Sequence, residues 1–253
     1  MRKSLLLVVV LTVAVGLLLL RGPSLVSAVR IGDAARVKQL LEEGRDPNLK
    51  SLWGDNPLDV ALAKERPDLA VLLLDAGADP RTSTHGWDPF FVAAAMGPRC
   101  TARLMRSFVL HGRSVREPGI LGTTVLHTAL ESGADECATA LLDLGADPAA
   151  VTDSGRTTLQ DASAAASSGL VRRLLMAGVP ADARYLNQIT PIMSAAQRPE
   201  SDPEARAVIE VLLEFDADPC VRTNDGRTLS DLALEQGAVE RARWLTSLCE
   251  RDE

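Results

Sequence analysis

The chain has 253 residues, of which 46% are hydrophobic and only 3% aromatic. Its formal charge is −7; setting aside Arg2, Lys3 and Arg21, three of the 27 basic residues, leaves 24 against 34 acidic ones, a charge of −10. That balance argues against a nucleic-acid ligand, whose phosphates call for a basic face.

Residues 1–20, MRKSLLLVVVLTVAVGLLLL, set Arg2 and Lys3 before sixteen uncharged residues, Leu5 to Leu20. As a helix this run is about 24 Å long, a little short of the roughly 30 Å hydrocarbon core of a bilayer. Arg21 can extend it by snorkelling. Two readings stay open. Residues 1–22 form one hydrophobic membrane helix that anchors the chain, or they belong to a signal peptide cleaved after Ala28, at the small-residue site Val26-Ser27-Ala28. The neighbouring residues weigh toward the anchor. Leu25, Ala28 and Val29 fit the core positions of a short helix, which cleavage would cut in the middle. A partner helix is predicted from Ala34 to Glu43, stopping at Gly44. Both readings put Arg2 and Lys3 in the cytoplasm and residues 23–253 outside it.

Residues 54–80, GDNPLDVALAKERPDLAVLLLDAGADP, contain nearly every signal of a helical hairpin. Asn56 can N-cap a first helix, with Pro57 at its first position. Leu58, Ala61 and Leu62 form its apolar face. Pro67 starts a second helix with Leu69, Leu72 and Leu73 as its stripe. Gly77 suits the left-handed residue after a helix, and Asp79-Pro80 turns the chain out of helix. Neither helix is long enough to be stable alone in water, so the unit requires copies beside it.

Those copies are present. Anchors at Gly54, Gly86, Gly122, Gly155, Gln188 and Gly226 are separated by 32, 36, 33, 33 and 38 residues. The second helices end in LLLDAGADP, LLDLGADP, LLMAGVP and LLEFDADP. Repeat two has three extra residues around Gly97-Pro98 and is followed by a longer finger from Arg113 to Leu121. Repeat five has an insertion, Gln197 to Glu204, expected as a loop. Repeat six closes with a polar helix, Val239 to Leu248, as a C-terminal cap.

The period near 33 and the first-helix sequence Thr124-Val-Leu-His-Thr-Ala129, with Thr190-Pro191 in a later copy, resemble the ankyrin repeat. The resemblance covers residue 24 to the C-terminus. It implies an all-α ankyrin-repeat solenoid of about seven helix-turn-helix units counting caps. It further implies a monomeric, non-enzymatic scaffold that binds a partner protein through fingers and the concave face. In layout, a signal or anchor followed by a short array, the chain is similar to periplasmic and inner-membrane-anchored ankyrin proteins of bacteria. That implies an inner-membrane anchor facing the periplasm, or secretion into the periplasm if cleavage occurs. An immunity-type binder that neutralises a toxin, an accessory protein supporting an envelope enzyme, and a small-ligand binder are the alternatives.

No P-loop, nucleophile elbow or dinucleotide fingerprint is present, and no cofactor or metal site is expected. His85, His111 and His127 lie in different repeats without metal-ligand spacing. By the resemblance His127 serves inter-repeat hydrogen bonding, and Asp59, Asp161 and Asp231 are read at the equivalent position. Arg99, Arg103, Arg106, Arg113 and Arg116 read as a solvated helix face rather than an acidic-partner site. Cys137 either fills the core as a small apolar side chain or pairs with Cys100, whose three-residue extension could close the gap between stacked helices. Cys220 and Cys249 could staple the C-terminal cap. The partner-binding candidates are finger residues: Trp53, Trp87, Ile120, Leu121, Tyr185 and Leu186. Trp and Tyr are common anchors of interfaces; the alternative is that each Trp packs on its neighbouring finger. Trp244 falls on a core position.

Overall fold

The computed structural model describes residues 24–83, 86–184 and 188–250. Fourteen α-helices run through them as seven consecutive pairs. The N-terminal pair is α1 (Leu25–Ile31) and α2 (Ala34–Glu42). Repeat one holds α3 (Pro57–Ala63) and α4 (Pro67–Asp75), and repeat two α5 (Pro89–Ala94) and α6 (Ala102–Leu110). Repeat three holds α7 (Val125–Glu131) and α8 (Asp135–Asp143), and repeat four α9 (Thr158–Ala164) and α10 (Ser168–Met176). Repeat five holds α11 (Pro191–Ala196) and α12 (Pro203–Glu214), and repeat six α13 (Leu229–Glu235) and α14 (Val239–Cys249). First helices pack in one row, α1 on α3 through α11 on α13, and second helices in a parallel row from α2 to α12; α14 packs chiefly on α13. Helices this short are marginal alone, and the stack supplies the apolar partner each one lacks.

Local chemistry sets the helix starts. The side chains of Asn56, Asp88, Thr124, Thr157 and Thr228 each accept a backbone N–H in the first turn of their first helix. Pro57, Pro89 and Pro191 occupy first positions, where no intrahelical N–H bond is lost. The core is one continuous cluster from α1 to α14. In α4 the buried residues are Leu69, Ala70, Val71, Leu73 and Leu74; of the predicted stripe Leu69 and Leu73 are buried and Leu72 is half-buried. In repeat two, Phe90 and Phe108 pack with ring centroids 5.2 Å apart.

The fingers are short hairpins. Gly119 N–H donates to Thr123 C=O at 2.7 Å, and Thr152 N–H to Arg156 C=O at 3.0 Å. Two details depart from the sequence reading. The extra residues of repeat two coil into a 3₁₀ turn, Gly97–Arg99. In repeat five only residues 197–202 form a loop, because Asp202 caps α12 and Pro203 takes its first position. The apolar run Leu5–Leu20 lies outside the described residues. Among those described, no helix is long and apolar enough to cross a membrane.

Candidate partner-binding surface

Among the described residues the hairpin fingers carry seven of the twelve large exposed apolar side chains; the others, Ile31, Leu110, Met176, Leu234 and Val239, stand at or near helix ends. Trp53 is 88% exposed and Trp87 70%, so neither packs on a neighbouring finger. Ile120 (81%) and Leu121 (71%) stand at the tip of the long finger before repeat three. Leu121 has φ 56, a region that aliphatic residues avoid unless the turn enforces it. The turn is tied to the next finger, because Asp153 N–H donates to Leu121 C=O at 3.0 Å. Tyr185 and Leu186 lie outside the described residues.

Sequence reasoning missed three members of this edge. Leu49 and Leu52 on the first finger and Val151 on the fourth are also exposed. Single exposed apolar residues are ordinary; here they recur on the first, second, third and fourth fingers. The signal available was that none of the three falls at a helix core position.

The arginine run is not one solvated face. Arg99 pairs with Glu65, and Arg103 with Asp75 at 3.8 Å, each on the preceding repeat. Arg116 donates to Gly145 C=O at 3.2 Å. Arg113 is buried: its two terminal nitrogens fork onto Asp88 at 2.6 and 2.7 Å, and its guanidinium lies 5.2 Å from the Phe90 ring centroid. Burial would raise the Asp88 carboxyl, but the bonds from Arg113 and from the Phe90 N–H outweigh it and hold the group below its ordinary value. Arg113 thus locks the cap of α5 to the base of the following finger.

His127 is fully buried and forms a reciprocal capping box with Thr124. Burial, helped by the charge of Arg156, pushes its imidazole pKa down, while the backbone of Arg156 and Ala150 acts the other way; the ring is neutral at pH 7. The register corrects the reading of Asp161. The third position of α9, equivalent to His127, belongs to Gln160. Gln160 accepts from Thr157 N–H and donates to Ala183 C=O and Ile189 C=O, at 3.2 and 2.6 Å, on the next finger. Asp161 stands one position later. Asp231 does occupy the equivalent place, boxed with Thr228.

The cysteines form two disulfides. Cys100, at the end of the 3₁₀ turn, joins Cys137 on α8 with Cα atoms 5.9 Å apart. Cys220 joins Cys249, the last residue of α14, at 5.5 Å. Arg241 of α14 is buried rather than solvent-facing, and its guanidinium donates to the carbonyls of Arg198 and Pro199, pinning the repeat-five loop. Trp244 is half-buried against the core, with the Arg206 guanidinium 4.6 Å from its ring centroid. Among the described residues no group of three or more His, Cys, Asp or Glu is placed to hold a metal.

Paired short helices, hairpin fingers and boxed first helices define an ankyrin-repeat solenoid. The family model described as Ankyrin repeat matches residues 121–153. The crystal structure of the human ASB11 ankyrin repeat domain superposes with a TM-score of 0.67 at 26% identity, covering 87% of this chain and 96% of that one. The 2-5A-dependent ribonuclease of Mus musculus is 47% identical over 72 residues, 28% of this chain and 10% of the relative. The B-cell lymphoma 3 protein homolog of Mus musculus is 30% identical over 167 residues, 64% of this chain and 37% of the relative. The chain spans well under half the length of these curated relatives.

Proposed function

We propose that this chain is a non-enzymatic scaffold that binds a partner protein through its finger edge and the adjoining first-helix face. The exposure of Trp53, Trp87, Ile120 and Leu121 on successive fingers carries the reading. A rigid array presents these side chains already positioned, so little ordering entropy is lost on binding. Trp53 and Trp87 are the expected anchors. Alanine at the better of the two should weaken partner binding by about 2 kcal/mol or more, the hot-spot threshold, with unfolding near wild type. The measurement is affinity for the partner recovered by photo-crosslinking from position 53 or 87 of the full chain. If neither alanine variant changes that affinity while both stay folded, the binding surface lies elsewhere.

The same proposal places the array as a monomer on the outer side of a membrane, held there by residues 5–20, in a bacterial cell the periplasm. Two disulfides support an oxidising compartment, and Arg2 and Lys3 support the orientation. Retention of the segment is favoured over cleavage after Ala28. Leu25, Val26 and Ala28 are buried within α1, and such a cut would strip them from the end of the core. Sequencing the N-terminus of the cellular protein tests this: a chain starting at Val29 would refute retention, and one still holding Leu25 to Ala28 is expected.

A further inference from the structure

We propose that the cleft between repeats three, four and five is a pocket for one basic side chain, lysine or arginine, of the partner protein, with Asp161 and Glu131 as its counter-charges. The proposal rests on the reading of this chain as a protein binder and names the chemistry of one contact. The cleft measures about 370 Å³ and is lined by Glu131 and Ser132 at the end of α7, Arg156 on the fourth finger, Asp161 and Ala164 on α9, and Arg198 beyond α11. At roughly 30 Å³ per water that is space for on the order of ten waters, enough for one long side chain.

Asp161 is the anomaly that calls for an explanation. The same helix position holds Thr128 in repeat three and Ser194 in repeat five. Their hydroxyls donate back to the carbonyls of Thr124 and Thr190, each at 3.4 Å. An ionised carboxylate has no proton to donate, so it cannot replace them in that role. Asp161 is 95% buried by side chain, with an ion pair to Arg156 at 3.2 Å, and its Oδ2 has no hydrogen-bond partner. Arg156 does not neutralise it alone, because the same nitrogen lies 3.3 Å from Glu131. Arg198 on the opposite wall is engaged by Asp202 at 2.6 Å and by Ala164 C=O at 2.9 Å. With Asp161 ionised, three carboxylates face two guanidiniums and one acceptor is unmet; without a guest, burial keeps this carboxyl partly protonated near pH 7 instead. A guest with one positive charge and N–H donors corrects both deficits, whereas an anionic guest worsens the first. The χ2 torsion of a carboxyl is broad, so a partial turn keeps Arg156 on one oxygen and brings the other, buried with no guest present, toward the cleft. Burial holds this carboxyl at about 7 with Arg156 lowering it and Glu131 raising it, so an added cation should draw its titration down.

The test uses the full chain with ¹³C-carboxyl-labelled aspartate, the Asp161 signal being assigned by its loss in Asp161→Asn. The probes are N-acetyl-argininamide, N-acetyl-norleucinamide and N-acetylglutamate. The arginine probe should shift the Asp161 resonance saturably and lower its titration midpoint, and the other two should not. Glu131→Gln, at an exposed position, should weaken the arginine probe by about fivefold, the weight of one exposed ion pair. No saturable response to the arginine probe, or an equal response to norleucinamide, overturns the proposal. So does probe binding, read at the Asp161 resonance, that is unchanged in Glu131→Gln. Trp53→Ala and Trp87→Ala should leave probe binding intact. A pocket that binds the probe alongside fingers that do not matter to the partner would sink the finger reading alone.

Discussion

Gln160 and Asp161 are neighbours with opposite energetics. Gln160 uses its carbonyl and its amide together, closing a capping box and reaching two carbonyls of the next finger. Every polar atom it buries is satisfied, as buried polar groups require. Asp161 buries a carboxyl with one oxygen unmet. Its pKa is raised from 3.8 to about 7, chiefly by burial. Between about pH 4 and pH 7 the unfolded chain has released this proton and the folded chain still holds it. The folded state then binds more protons, so this group's contribution to stability falls as pH rises through that window and levels off above it. Asp161→Asn removes the effect. Urea unfolding at about pH 5 and about pH 8 should show a smaller loss of stability toward the higher pH in the variant than in the wild type. An identical difference in both proteins would mean that Asp161 ionises freely in the fold.

Helix ends are the elements at which repeats are joined. A helix leaves its last carbonyls without partners, and in three successive places the segment after the preceding repeat's second helix reaches across to supply one. Asn48 donates to Gly77 C=O at 3.0 Å, Arg81 to Gly112 C=O at 2.7 Å and Arg116 to Gly145 C=O at 3.2 Å. Each of these carbonyls belongs to the residue that turns the chain out of a second helix. Gly145 makes that turn with φ +88, and an added Cβ would meet nothing within 4 Å. The cost of replacing it is therefore conformational alone. Gly145→Val should destabilise by roughly 1–2 kcal/mol, the left-handed penalty for a residue with a Cβ, read as a lower urea midpoint with unchanged slope. Unaltered stability would show that the turn relaxes to another backbone state. After α12 of repeat five the same turn is made by Asp216 at φ 63, a residue type that tolerates this region better than an aliphatic one.

Over the whole molecule, an array in which each repeat touches only its neighbours is held at two points by covalent links. The Cys100–Cys137 bond spans 37 residues and ties repeat two to repeat three; Cys220–Cys249 spans 29 and ties the last finger to the last helix. Each should contribute roughly 2–4 kcal/mol. Their access to solvent differs: Cys100 and Cys137 are 1% and 0% exposed, while Cys220 is exposed and Cys249 half-buried. Under native conditions a mild reductant should therefore open the C-terminal pair first, with the central pair opening only as the array unfolds. Alkylation followed by mass spectrometry would follow the order, and simultaneous reduction of both would contradict it.

The number and order of helix pairs were legible in the sequence because their causes are local. An Asn, Asp or Thr cap, a proline at a helix start, apolar residues three and four apart and a glycine at the end act within one turn of chain. The finger tips Trp53 and Trp87 were legible for the complementary reason, since a large apolar residue in a hairpin has no helix core to enter. The fates of the charged side chains were not, and the two cysteine pairs, though offered by the sequence, stayed open there. Arg113 and Arg241 look like surface residues in sequence. They are buried because a neighbouring repeat offers Asp88 and Pro80 to one, and the carbonyls of Arg198 and Pro199 to the other. Cys100 reaches Cys137 because three inserted residues coil into a 3₁₀ turn that carries it to the next helix. Whether an ionisable or reactive group is buried, paired or left unmet depends on atoms some thirty positions away in the chain, and only stacking brings those atoms into contact.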